Sequence, residues 1–113
     1  IVNISSIFGV VSKIKRASYS TTKWGLIGFT KAIALDLGEH NILVNAVSPG
    51  FVDTDLTRKI LGEDEIKNII QDIPVKKLAV PDDIARTVLF LSSDLNTYIT
   101  GQNIIIDGGF TSA

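Results

Sequence analysis

The chain has 113 residues, a length that holds one domain and no second core. Apolar residues make up 45% of it and charged residues 20%, the balance of a globular protein that buries a core and not of a disordered one. A formal net charge of -1 provides no field to gather nucleic acid or an anionic membrane, and the absence of cysteine excludes disulfides, thiolate metal sites and cysteine nucleophiles.

Residues 1–4, Ile1-Val2-Asn3-Ile4, form an apolar run ended by Ser5-Ser6, the pattern of a central parallel strand leaving its sheet at the carboxyl end. Such a strand wants neighbours on both sides. With no methionine anywhere in the chain, residues 1–113 are expected to be a single partial domain whose upstream strands are missing. Residues 7–18 show no helical period and carry Gly9, Lys13, Lys15 and Arg16, which predicts an exposed loop. A helix is predicted over 19–37, stopped by Gly38. Trp24, Leu26, Ile27, Phe29, Ile33, Leu35 and Leu37 are spread around most of its circumference, so cover is expected from the sheet on one side and a partner subunit on another.

A second strand is predicted over 42–47, broken by Ser48-Pro49-Gly50. Residues 53–73 are polar with intermittent apolar positions, which predicts one or two small amphipathic helices acting as a lid. Pro81 with Asp82 and Asp83 opens another helix to about residue 91, since proline suits the first helical position and the aspartates complement the positive end of the dipole. A final strand is predicted over 103–107, closed by Gly108-Gly109. Strands alternating with helices give an α/β fold, a doubly wound parallel sheet. Ligands bind such sheets at the carboxyl ends of the strands, which puts Ser6 and the segment after Pro49 on one rim.

Tyr19 and Lys23 are one helical turn apart and share a face. A free phenol with a pKa of about 10 is a poor base at neutral pH, and a nearby ammonium favours its ionised form. A phenol so placed can protonate a carbonyl oxygen as hydride arrives, or take the proton from an alcohol in reverse. Ser6 would hydrogen-bond the same oxygen and orient it. His40, the only histidine, lies just past a helix end and is read as structural, with no metal role. Asp107-Gly108-Gly109 is read as a turn, not a phosphate cradle, because no helix follows it. Lys13, Lys15 and Arg16 form either a solvated loop face or, since they lie between Ser6 and Tyr19, a contact for an anionic substrate.

Tyr19-Ser20-Thr21-Thr22-Lys23 resembles the YxxxK signature of the short-chain dehydrogenase/reductase family, with Ser6 at the place of its catalytic serine. Asn45-Ala46-Val47-Ser48-Pro49-Gly50-Phe51-Val52-Asp53-Thr54 resembles the family's strand and PG motif, and Thr100-Gly101-Gln102 with Asp107-Gly108-Gly109 completes the order. The resemblance covers essentially the whole chain and implies the carboxy-terminal half of a Rossmann-type fold, in the branch of 3-oxoacyl-carrier-protein reductases and related sugar and alcohol dehydrogenases. It implies hydride transfer with NAD or NADP between a carbonyl and a secondary alcohol. Tyr19 would be the acid/base, Lys23 would tune it and hold the nicotinamide ribose, and Ser6 would position the substrate. Pro49, Gly50, Val52 and Thr54 would meet the nicotinamide end, Thr54 serving there or as a helix cap, roles that can coexist.

The resemblance also implies a homodimer or homotetramer acting on a small-molecule carbonyl or alcohol. No nucleic acid or membrane partner is expected, and the expected setting is cytoplasmic. The glycine-rich turn that cradles a dinucleotide pyrophosphate is not found in the chain. The alternatives are a non-catalytic member of the fold used for oligomerisation or regulation, or a piece that is inactive by itself.

Overall fold

The computed structural model describes all of residues 1–113. In chain order it contains β1 (Val2–Ile4), α1 (Ala17–Gly38), β2 (Asn45–Pro49), α2 (Asp55–Asp72), α3 (Pro81–Ser92) and β3 (Asn103–Ile106), with 3-10 turns at Ile7–Gly9 and Phe110–Ser112. The three strands form one parallel sheet in the order β1-β2-β3, with Asn3 opposite Ala46 and Val47 opposite Ile104. The central strand β2 is the best covered: Asn45, Ala46, Val47 and Ser48 are fully buried. Because alternate side chains point to opposite faces, burial of all four means that both faces of β2 are covered. A hydrogen bond from Asn3 Nδ2 to Thr30 Oγ1 (2.9 Å) ties β1 to α1, and α3 lies against β1 and β2. The doubly wound α/β expectation holds.

Element bounds differ from the sequence reading where side chains compete with the ladder. The apolar run predicts a second strand over 42–47, yet Val44 N–H donates to Thr100 Oγ1 (3.0 Å) and the pairing begins at Asn45. The strand also runs through the residues expected to break it, since Ser48 and Pro49 stay in register with Ile105 and Ile106. Proline is tolerated there because it ends the strand, and Gly50 N–H supplies the next bond, to Ile106 O at 2.8 Å. Helix α1 does not stop on a left-handed glycine. Gly38 is its last helical residue and the left-handed turn falls on Asn41, φ 57°.

The sheet buries one side of α1 through Ser20, Thr30 and Ala34, whereas Trp24, Phe29 and Leu35 on its outer surface are exposed. The 53–73 region is both one helix and two, because Gly62 interrupts α2 with φ 72°, ψ 167°. Its back half is anchored by a small core of Ile66, Ile69, Ile73 and Leu78, with Phe51 and Phe110 packed against it. No helix is long and apolar enough to cross a membrane.

Buried Asn45 holds the turn that the Thr100-Gly101-Gln102 motif marks. Its Nδ2 donates to Ile99 O (2.7 Å) and its Oδ1 accepts from Gln102 N–H (3.0 Å). A fully buried amide is stable only when its donors and acceptors are met, and these two bonds meet them while fixing where β3 enters the sheet.

Candidate active site

The carboxyl ends of β1 and β2 bring the expected residues to one rim. The chain leaves β1 at Ile4, and Ser5 N–H still bonds Val47 O (2.7 Å), so Ser6 is held at the sheet edge. Ser6 is nearly buried, and its Oγ accepts from Phe8 N–H (3.1 Å), capping the turn Ile7–Gly9. That bond uses an acceptor position and leaves the hydroxyl proton free to donate.

The turn packs on α1 through Gly9. A Cβ built there would lie 2.8 Å from Ser5 Oγ and 3.0 Å from Lys23 O, so only glycine lets the two backbones approach this closely. Ser5 Oγ donates to Lys23 O (3.0 Å) across the same contact. The start of α1 is thereby locked to the end of β1, which sets the distance between Ser6 and the helical pair.

Lys23 Nζ donates to Ile4 O (3.1 Å) and lies 5.7 Å from the centre of the Tyr19 ring. One end of the ammonium is thus fixed by the strand terminus while its charge stands beside the phenol. Tyr19 is 42% exposed, which leaves its ring accessible from the rim. Phe8 meets that ring edge-on at 6.2 Å and meets Phe51 in the same manner at 6.4 Å, joining the two strand ends by an aromatic bridge.

On the β2 side, Gly50 passes close to the last strand: an added Cβ would stand 2.8 Å from Asp107 Cα. Val52 pairs with Ala79 through its neighbours, Asp53 N–H to Ala79 O (2.8 Å) and Ala79 N–H to Phe51 O (3.0 Å), and its own N–H has no partner in the protein. Thr54 caps α2, its Oγ1 accepting from Thr57 N–H (3.2 Å). The cap role is therefore occupied. Asp53 is bound in a bidentate pair by Arg58 (2.6 and 2.7 Å), and the guanidinium holds its carboxyl below the usual range. Burial raises the Asp107 carboxyl, but hydrogen bonds from Thr111 and Gly109 outweigh it and keep the acid below its ordinary value.

The structure brings Ser6, Tyr19 and Lys23 to the end of β1 and Pro49, Gly50, Val52 and Thr54 to the end of β2, as expected. It separates the three loop cations. Lys13 pairs with Glu65 (3.9 Å), Lys15 projects into solvent, and Arg16 lies over the Phe8 ring at 5.9 Å. Phe8 and Phe51 do not stand out in the sequence. Nothing local marks Phe8, whereas Phe51 directly follows the Pro49-Gly50 turn, the one signal that could have found it.

A parallel sheet covered by helices, with its candidate site at the carboxyl ends of the strands, is the arrangement of the doubly wound α/β class. Residues 1–111 match the family model described as Enoyl-(Acyl carrier protein) reductase. The chain is 48% identical over 109 residues to the 3-oxoacyl-[acyl-carrier-protein] reductase FabG of Aquifex aeolicus, covering 96% of this chain and 44% of that protein. It is 43% identical over 110 residues to the Chlamydia trachomatis protein of that name, again covering 96% of this chain and 44% of that one. Among solved structures, a 4-hydroxyisoleucine dehydrogenase complexed with NADH superposes with a TM-score of 0.95 at 38% identity, covering all of this chain and 47% of the other. ElxO with NADP bound superposes at 0.91 and 36% identity, covering all of this chain and 46% of that one. The chain belongs to the short-chain dehydrogenase/reductase family. It spans about half the length of the relatives it matches.

Proposed function

We propose that residues 1–113 are the catalytic and substrate-binding half of an NAD(P)-dependent oxidoreductase that interconverts a carbonyl and a secondary alcohol. The observation that carries this is the position of Lys23, anchored to Ile4 O at 3.1 Å and 5.7 Å from the Tyr19 ring, on the rim that also bears Ser6. Tyr19 Oη gives its proton to the carbonyl oxygen in reduction and takes one from the alcohol in oxidation. The Lys23 charge favours negative charge on the phenol oxygen when that proton has left. Ser6 donates its free hydroxyl proton to the substrate oxygen and so fixes the carbonyl against Tyr19.

The residues at the end of β2 fit the nicotinamide end of a dinucleotide. Pro49 and Gly50 shape a flat turn, the unpaired N–H of Val52 is a donor for a carboxamide oxygen, and Thr54 stands two residues further on. Bound there, the cofactor supplies or accepts the hydride. NADH and NADP accompany the two solved relatives above, so both remain within the proposal. An acyl thioester is the first substrate class to test, on the similarity to the two FabG reductases, and a sugar or alcohol is the second. The exposed Trp24, Phe29 and Leu35 on α1 support a homodimer or homotetramer, and the setting we propose is cytoplasmic.

Tyr19→Phe in the full-length protein tests the assignment. Turnover with acetoacetyl thioester or a sugar substrate should fall by about a hundredfold or more, the scale of general acid/base catalysis, while cofactor binding followed by fluorescence persists. Turnover at the wild-type rate would end the proposal.

A further inference from the structure

Arg16 is the one loop cation that enters a cavity. The cavity holds about 270 Å³ and is lined by Arg16, Phe51, Leu56, Ile60 and Leu61 together with the Gly50-Val52 turn and Thr57. No carboxylate is among these residues, and the Arg16 guanidinium makes no salt bridge or hydrogen bond in the protein. A half-buried guanidinium at an apolar wall, with five donors and no acceptor, can take an anion through paired N–H donors.

Phe8 relates this cation to the reacting group. The guanidinium lies 5.9 Å from the Phe8 centre and the Tyr19 ring 6.2 Å from it, so phenol and cation border the same side chain. Phe51 belongs both to the cavity wall and to that aromatic bridge. A substrate whose carbonyl sits at Tyr19 can therefore lay its apolar stem along Phe8 and Phe51 and present a charged end to Arg16.

We infer that Arg16 is the specificity-determining residue for an anionic group, a carboxylate or a phosphate, on the substrate of the proposed oxidoreductase, with Phe51, Leu56, Ile60 and Leu61 receiving the apolar part. The inference rests on that functional reading and adds the substrate class to it. Guanidinium binds either anion through paired N–H donors, and a lysine at the same place supplies charge without that geometry.

Two substrate pairs that differ only in the anion test it in the full-length protein: a keto acid whose ketone and carboxylate are separated by a methylene stem, with its methyl ester, and a 3-oxoacyl phosphopantetheine with the 3-oxoacyl pantetheine. The readout is the ratio of kcat/KM within each pair, which does not depend on how much of a variant is folded. Arg16→Gln should lower the ratio about tenfold to a hundredfold for one pair, through KM, and Arg16→Lys should restore part of it. Loss in the first pair identifies a carboxylate substrate and loss in the second a phosphate. Ratios equal to wild type in both pairs would overturn the inference, even while Tyr19→Phe abolishes turnover and upholds the oxidoreductase assignment. Conversely, full turnover by Tyr19→Phe together with a collapsed Arg16→Gln ratio would uphold the anion site and remove Tyr19 from the chemistry.

Discussion

Gly9 is the contact at which stability and site geometry can be perturbed together. In Gly9→Ala the new methyl would meet Ile27 Cδ1 at 2.7 Å, Ser5 Oγ at 2.8 Å and Lys23 O at 3.0 Å. The isoleucine end can rotate away. The other two atoms are hydrogen-bonded to each other, and one is helix backbone, so the bond must break or the 3-10 turn must lift from α1. An unpaired buried hydroxyl and local overpacking each cost about 1–3 kcal/mol, which gives an expected loss of roughly 2–6 kcal/mol. That is a large share of the stability of an ordinary domain, about 5–15 kcal/mol. Urea unfolding of the full-length protein should show a lower midpoint at unchanged slope. Gly38→Ala is the control, because nothing lies within 4 Å of an added Cβ there and the backbone is helical, so a gain of about 0.5–1 kcal/mol is expected. A Gly9→Ala protein as stable as wild type would refute the close-approach argument. So would a Ser5→Ala/Gly9→Ala double variant whose loss is the plain sum of the singles, since the two share one contact.

Asn45→Leu removes both side-chain bonds from Asn45 to the 99–102 turn and leaves Gln102 N–H without its partner, while Ile99 O keeps its bond from Asn96 Nδ2 (3.1 Å). A loss of about 1–3 kcal/mol in the same unfolding assay is expected, and a neutral result would show that the Asn45 side chain does not hold the turn. The lowered Asp107 carboxyl has a definite sign in pH dependence. Its folded form binds the proton more weakly than the unfolded chain, so its stabilisation is complete above the unfolded value and disappears as pH falls through the folded one. The stability gap between wild type and Asp107→Asn should therefore narrow below about pH 4. A gap that widened with acid would contradict the hydrogen-bond account.

The order of strands and helices was legible because it depends on local patterns: short apolar runs, the Pro81-Asp82-Asp83 helix start, and Ser6, Tyr19 and Lys23 at fixed spacing. Those same spacings placed the expected site residues on one rim. The features that escaped are decided by partners far along the chain. The second strand begins later than its apolar residues indicate because Thr100 captures Val44 N–H, a contact 56 residues distant. The three loop cations look equivalent in sequence, and only the fold gives Lys13 a carboxylate, leaves Lys15 in water and turns Arg16 toward a cavity. Gly9 reads as a loop signal, while its actual function is to admit a helix carbonyl. Exposure on α1 is equally unreadable, since an all-round apolar helix does not announce which side its own sheet will take.

The interruption at Gly62 has a thermodynamic consequence for the cavity beside Arg16. Helix formation propagates by adding successive bonds to an existing nucleus, and a residue at φ 72°, ψ 167° stops that propagation. Cooperativity in α2 therefore ends at position 62. The back half is ordered by Ile66 and Ile69 in their core, whereas the front half touches that core only through Leu61, exposes Leu56 and Ile60 by 65% and 63%, and is held at its start by the Thr54 cap and the Arg58–Asp53 pair. Residues 55–61 can unwind locally without melting the back half, and an apolar stem that covers Leu56 and Ile60 would supply the missing contacts. One wall of the cavity would thus gain order from such an occupant, and the energy of filling it would be shared with the energy of steadying a helix.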